Sequence, residues 1–301
     1  MIQKDMVTVI ITTYKRRINQ IKKAIESVLH QTYKNVELII VDDSPDDFIY
    51  RKEVKKFCES IIDKKVTYIQ HEKNLGACMA RNTGLYLSKG KYISFLDDDD
   101  EYLPTRIEEM LSLFNDDVVL VYCNANIIDL NNINKKRTYF DDGKQYRGNV
   151  YHKIMENNFV GSTSFGLIRT EVLMKLGGFD PKIEASQDWD IWIRLAEKGK
   201  FEYVSTSLVN YYIYSGDRIT NDIKRRIRGL RYLNKKNYKY LCQHPAAMVN
   251  RKGYELRLNI LNYDIRGAIT CYGEIIKLQP YKVLKNISYL KSFGRLIIRK
   301  K

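Results

Sequence analysis

The sequence predicts an α/β fold, a doubly wound, mostly parallel sheet with helices on both faces, followed by a basic helical C-terminal extension. Three observations carry this. First, short apolar, β-branched runs alternate with segments of helical periodicity over residues 7–96, the pattern of βαβ units. Second, three of those runs end in polar or acidic residues: Thr12, Thr13 and Tyr14; Asp42 and Asp43; and Asp97, Asp98, Asp99 and Asp100. In open α/β sheets ligands bind beyond the carboxyl ends of the strands. Third, residues 221–301 hold 20 Lys+Arg against 4 Asp+Glu, while residues 1–220 hold 31 against 32. All of the +15 net charge therefore lies in the last quarter of the 301-residue chain, and the change in sign marks a boundary near 215–221, between a first domain over 1–217 and a basic region over 218–301.

Taken in order, 7–12 is a buried strand, and Ile18, Ile21, Ala24, Ile25, Val28 and Leu29 recur at helical spacing behind it. Residues 36–41 (VELIIV) form a second strand stopped by Pro45, with a helix over 47–62. A third strand covers 66–70, a loop Asn74, Leu75 and Gly76, and a helix 77–88, which carries Arg81 and Asn82. The fourth strand runs through Tyr92, Ile93, Phe95 and Leu96 into the four aspartates. Beyond it we expect a helix at 104–115, a strand at 118–123, a loop or weak hairpin over the Asn- and Lys-rich 124–147, a short helix in 148–157 and a strand at 162–168. Thr170 is placed to cap a helix over 171–176, which Gly177 and Gly178 end. A helix then carries Asp188, Trp189, Asp190 and Trp192, two strands cover 201–204 and 208–214, and three helices are expected at 254–261, 266–278 and 281–290.

Composition excludes several classes. Five scattered cysteines lack the paired spacing of a zinc site or disulfide framework. No apolar run approaches the roughly 20 residues that span a bilayer, and the N-terminal run is too short for a signal peptide. The expectation is a cytoplasmic chain, attached at most peripherally to the inner face of a membrane. No G-x-G-x-x-G or G-x-x-x-x-G-K-[ST] occurs, so phosphates must be held by side chains and a metal rather than by a glycine cradle.

Four adjacent carboxylates repel one another unless a cation or hydrogen-bond donors offset them, and carboxylate oxygens are what a hard divalent ion prefers. The competing reading is a solvated acidic turn capping the next helix. Asp188 can likewise be a helix cap, and Trp189 and Trp192, three apart, can be core packing or, for Trp189, a platform for a sugar. The basic segment 221–301 suits either an anionic membrane surface or packing on neighbouring helices.

Together VTVIITTYKR, HQTYKNVELIIVDDS, NLGACMARNTGL, GKYISFLDDDDEYLP, LGGFD and QDWDIWIRL resemble glycosyltransferase family 2, enzymes of the GT-A fold that use nucleotide-diphosphate sugars. The resemblance covers about residues 6–214. It implies that Thr12 and Tyr14 line the base and ribose site, that Asp43 accepts from a uracil ring, and that Asn74 and Arg81 lie near the nucleotide, with Arg81 on the diphosphate. Asp97 and Asp99 correspond to the D-x-D pair, with Asp97 toward the ribose or sugar and Asp98 between them. Asp99, with Asp97, would hold Mn²⁺ or Mg²⁺. Asp188 corresponds to the catalytic base, while Trp189 is a candidate acceptor contact on its residue type alone. Gln187 stands where relatives carry Glu, and Tyr214 where many carry a metal-binding His.

The implied reaction is transfer from a nucleotide-sugar, a UDP-sugar above all, to a hydroxyl of a glycan, lipid-linked saccharide or glycoprotein. One base and no enzyme nucleophile imply inversion. A sugar-nucleotidyltransferase is the alternative enzyme, but it needs a glycine-rich phosphate loop after the first strand. A polyanion-binding protein acting through the basic tail is the non-enzymatic alternative. For nucleic acid the tail lacks a recognisable motif, and the acidic edge would repel phosphate backbones.

Overall fold

The structure, a computed structural model, describes residues 3–61, 65–132, 136–140, 145–214 and 222–279. The chain divides into two compact units: Met1–Ile154 with Asn158–Lys182 and Gln187–Ser215, and Gly216–Lys301 with the short pieces Met155–Asn157 and Ile183–Ser186.

The first unit opens with β1 (Gln3–Thr13), α1 (Ile18–Leu29), β2 (Val36–Asp42), α2 (Arg51–Glu59), β3 (Val66–Gln70), α3 (Ala77–Leu87) and β4 (Gly90–Asp97). It continues through β5 (Glu101–Tyr102), α4 (Arg106–Leu111), β6 (Val118–Asp129), β7 (Lys136–Thr138), α5 (Tyr151–Glu156), a 3₁₀ turn at Thr163–Phe165, β8 (Gly166–Arg169), α6 (Thr170–Lys175), α7 (Gln187–Ala196) and β9 (Lys200–Ile213).

The sheet order is β3-β2-β1-β4-β8-β6-β9-β5, with β7 on β6. The first four strands are parallel, as are β6 and β9, while β8, β5 and β7 pair antiparallel. β1 lies between β2 and β4 and is covered on both faces, which is why it reads as a continuous apolar run rather than an alternation. Val7, Val9 and Ile11 pack with Ile21, Ile25 and Val28 of α1, while Ile10 meets α3 so closely that a Cβ on Gly84 would lie 2.7 Å from its Cγ2. The four parallel strands thus bring their carboxyl ends, and the polar residues that end them, to one edge.

Beyond β4 the structure departs from the sequence expectation in four places. β6 runs on through Asp129 across residues expected as loop, because β9 pairs it in parallel and β7 pairs it from the other side. Its asparagines serve the sheet: Asn126 donates to Asn210 at 3.1 Å, and Asn124 Oδ1 accepts from Phe140 N–H at 3.0 Å. β9 is one strand of 14 residues rather than two. Residues 163–165 form the 3₁₀ turn before β8 begins, and the turn is capped by Ser162, whose side chain accepts from Ser164 N–H. Thr170 opens α6 without acting as its cap, its hydroxyl being buried with no hydrogen-bond partner.

The second unit contains α8 (Ile223–Lys236), α9 (Tyr238–Gln243), α10 (Pro245–Leu261) and α11 (Ile265–Leu278). The side chains of Asp222 and Asp264 cap α8 and α11, and Leu256, Ile260, Ala268, Cys271 and Ile275 form its core. The helix expected at 281–290 lies outside the described residues. No helix among the described residues is long and apolar enough to cross a membrane.

Candidate active site

The fourth strand delivers its aspartates into four different settings. Asp97 Oδ1 accepts from Arg81 Nη2 at 3.0 Å and Thr163 Oγ1 at 3.4 Å, and its Oδ2 from Ser162 Oγ at 3.2 Å. Both Asp98 oxygens accept from Arg16 Nε, at 3.1 and 3.2 Å. Asp99 Oδ2 accepts from the Tyr214 hydroxyl at 3.0 Å and from Arg16 Nη2 at 3.5 Å. Asp100 is structural: Ser164 Oγ donates to it at 2.7 Å and also accepts from Asp97 N–H at 3.1 Å. Ser164 is held in turn by the fully buried Arg106, whose Nη2 donates to its carbonyl at 3.0 Å. The repulsion inherent in the acidic run is therefore offset by two guanidinium groups and a set of hydroxyls.

Burial pushes the Asp98 carboxyl up to about 6; Arg16 opposes that shift and Asp99 adds to it. A cleft of about 260 Å³ opens against Arg16, Asp99, Tyr212 and Tyr214. In the helical unit a second cleft, of about 280 Å³, is lined by Arg231, Lys235, Lys252 and Glu255. Glu255 there is already paired with Arg231 at 2.6 Å and Lys252 at 3.2 Å, leaving no carboxylate set for catalysis.

Arg81 links the strand end to α7. Its Nη1 donates to Gln187 Oε1 at 2.8 Å while Nη2 holds Asp97. LGGFD explains how Arg81 is positioned. Asn82, the next residue of α3, brackets Phe179 by accepting from its N–H at 2.7 Å and donating to its carbonyl at 2.8 Å. Phe179 packs edge-on against Phe95 at 4.9 Å and lies under the Arg81 guanidinium at 5.4 Å. Gly178 is required in this turn: its φ is +70°, and a Cβ would lie 2.4 Å from Asn82 Oδ1.

Asp188 follows Gln187 in the first turn of α7. Its Oδ1 accepts from Trp189 N–H at 2.8 Å and its Oδ2 from Asn158 Nδ2 at 3.1 Å. Part of the residue stays open to solvent, yet burial of its carboxyl pushes it up to about 6, against the pull of the Trp189 N–H, Arg81 and Asn158. Trp189 does not serve as a sugar platform. It is 4 % exposed and its indole N–H donates to the Ile154 carbonyl at 2.7 Å. Trp192 is likewise core, donating to the Gly161 carbonyl at 3.0 Å, so both indoles hold segments flanking Asn158, which in turn holds Asp188.

At the outer end of the edge, Thr12 is half-buried and Tyr14 is 45 % exposed. Asp43 is buried, and three protein donors engage its carboxylate: Leu75 N–H at 2.8 Å and His71 Nδ1 at 2.7 Å on Oδ1, and Gly76 N–H at 2.8 Å on Oδ2. A carboxylate offers about four acceptor positions, so Asp43 first ties down the loop of Asn74 and has one position left on Oδ2. Exposed Asn74 closes the same turn by accepting from Gly76 N–H at 2.9 Å.

Sequence reasoning missed Arg16, His71, Asn158 and Ser164. Arg16 and His71 sat in quoted or adjacent segments but carried no pattern of their own. Asn158 and Ser164 reach the site through aspartates 30 and 64 residues away.

The carboxylates on this edge are hard oxygen donors. Among the described residues no three His, Cys, Asp or Glu converge into a ready cage. Asp99, on the cleft, and Asp97 fit an ion of the kind that takes one or two protein carboxylates and completes its shell with phosphates and water.

A mostly parallel sheet with acidic strand ends, a guanidinium joining Asp97 to Gln187 beside the half-buried Asp188 and no glycine cradle set this edge apart from a dinucleotide-binding one. Residues 8–177 match the family model described as glycosyl transferase family 2. An uncharacterized glycosyltransferase of Methanocaldococcus jannaschii is 32% identical over 248 residues, covering 80% of this chain and 83% of that protein. A longer glycosyltransferase of Rickettsia felis is 32% identical over 226 residues, 74% of this chain and 36% of its own length. The crystal structure of S. aureus TarS 1–349 in complex with UDP-GlcNAc superposes with a TM-score of 0.59 at 13% identity, covering 91% of this chain and 92% of that one. The chain belongs to glycosyltransferase family 2 and is a transferase of the GT-A fold.

Proposed function

We propose that the protein moves a sugar from a nucleotide-diphosphate sugar, a UDP-sugar above all, to a hydroxyl of a glycan, lipid-linked saccharide or glycoprotein, with inversion at the anomeric carbon and Asp188 as base. The observation that carries this reading is the Arg81 bridge, 3.0 Å to Asp97 and 2.8 Å to Gln187. Arg81 thereby joins the D-x-D edge to the residue that precedes the candidate base, which supports reading the two as parts of one reacting centre. The family membership and the TarS neighbour, solved with UDP-GlcNAc, support the donor class.

Thr12, Tyr14 and Asn74 line the base and ribose end, with the remaining acceptor position of Asp43 turned to the base. Arg81 meets the diphosphate, for which a planar guanidinium is well suited, and Asp97 and Asp98 flank it. Asp99 and Asp97 would hold Mn²⁺ or Mg²⁺, which supplies Lewis-acid stabilisation of the negative charge growing on the departing diphosphate. The acceptor hydroxyl gives its proton to Asp188 as it attacks. A carboxylate pushed up to about 6 is a stronger base than an ordinary aspartate and still ionised at neutral pH. No other protein group is needed as a nucleophile, so a single displacement and a β-linked product from an α-linked donor follow. We propose for the basic segment 221–301 a peripheral contact with anionic membrane, which rising salt should weaken.

The test is turnover of a panel of UDP- and other nucleotide-sugars with Mn²⁺, Mg²⁺ or chelator. Activity should appear with a UDP-sugar and collapse in Asp188→Asn and Asp99→Ala. Unchanged turnover in Asp188→Asn would remove the base assigned here.

A further inference from the structure

Arg16 grips the two neighbouring aspartates unequally. Its Nε lies 3.1 and 3.2 Å from the two oxygens of Asp98, whereas its Nη2 reaches Asp99 Oδ2 only at 3.5 Å. The Tyr214 hydroxyl donates to that same Asp99 oxygen at 3.0 Å. Asp98 is 8 % exposed and needs a fixed cation to stay charged in that setting. The Asp99 side chain is 15 % exposed and lines the cleft. Arg16 is aimed by the turn after β1, where Lys15 takes a positive φ of 53° and its N–H donates to Ser44 Oγ at 2.8 Å.

A guanidinium cannot shed its proton and has no acceptor, so beside Asp99 it opposes an arriving divalent ion by like charge and by occupying an oxygen. It is also a good partner for phosphate. We propose that Arg16, assisted by Tyr214, is a built-in competitor for the cation position. Without nucleotide it holds Asp99; a donor diphosphate draws its outer nitrogen away, and the ion gains Asp99 together with the nucleotide rather than before it. The grip on Asp98 through Nε stays, and only the longer contact to Asp99 is exchanged. Arg16 is thus a positioning residue that enforces the order of binding. This rests on the ion role proposed above for Asp99.

Mn²⁺ binding to the full-length protein, followed by the paramagnetic resonance signal of free Mn²⁺, tests it with Mn²⁺ alone and with Mn²⁺ plus UDP. Wild type should bind Mn²⁺ at least about ten-fold more tightly with UDP than without. Arg16→Gln should tighten nucleotide-free Mn²⁺ binding by about ten-fold, the worth of a hydrogen bond to a charged group, and narrow the gap between the two conditions. Tyr214→Phe, which leaves Arg16 and its pairing with Asp98 in place, should shift nucleotide-free binding the same way by a few-fold, and decides the matter alone if circular dichroism shows Arg16→Gln to be unfolded. If the folded variants bind Mn²⁺ alone no tighter than wild type while Mn²⁺–UDP binding is intact, the competitor role is overturned and the ion role stands. If wild type takes up no Mn²⁺ even with UDP, the ion role itself falls, and the competitor role with it.

Discussion

Asp98 and Asp188 are two carboxylates with the same perturbation and opposite company. Burial pushes each up to about 6. On the strand edge, Asp98 lies against a permanent cation, Arg16, at 3.1 Å. On α7, Asp188 is held by neutral donors, a side-chain amide at 3.1 Å and a backbone N–H at 2.8 Å. A guanidinium fixes the charge of its partner and so suits a binding surface. Neutral donors orient a carboxylate without setting a fixed positive charge beside it, which suits a group that must take up a proton. The two sides of the site differ in what compensates the charge more than in how deeply it is buried.

The largest way to break the comparison is Asp188→Asn, which keeps the shape but removes the base and one of the two acceptor oxygens. Initial rates should fall by about 10²–10⁴-fold in kcat with the donor KM little changed, whereas a drop confined to KM would move Asp188 to the binding side. Arg81→Lys comes next. A lysine cannot span Asp97 and Gln187 with a planar fork, so kcat/KM should fall by about 10–100-fold; near-wild-type kinetics would mean that the bridge does not organise the centre.

The pH profile sharpens the same contrast. A base must be deprotonated to act, so kcat should fall as pH drops through about 6, the region to which burial raises Asp188. Asn158→Leu removes a donor that favours the charged form and should move that acidic limb to higher pH. A limb that does not move would show that another group titrates there. The smallest effect is expected from Trp189→Phe. Loss of the indole donation to Ile154 should cost about 1 kcal/mol of stability in denaturant titrations and leave the acceptor KM unchanged, because the ring faces the core.

How much was legible follows the range of the interactions. β1 to β4 and their helices could be read because each is specified by neighbours in sequence: apolar runs covered on both faces, and Ile21, Ala24, Ile25 and Val28 at helical spacing on α1. β6 beyond Cys123 could not. Asn124 and Asn126 have poor strand propensity, and the extension exists because β9 and β7, contributed from elsewhere in the chain, satisfy its backbone. Trp189 shows the same limit at the site, since its exposure depends on where the Ile154 carbonyl lies and nothing in the QDWDIW segment records that.

The sequence by itself determined the order of β1 to β4 and their helices, the acidic end of the fourth strand and the basic excess after residue 220, because these depend on side-chain type and spacing alone. Only the tertiary structure decided which cation answers which aspartate: Arg81 for Asp97, Arg16 for Asp98 and Asp99. The physical reason is that charge compensation acts over a few ångströms of space, and Arg16 and Asp98, 82 residues apart along the chain, become neighbours only when β1 and β4 pair.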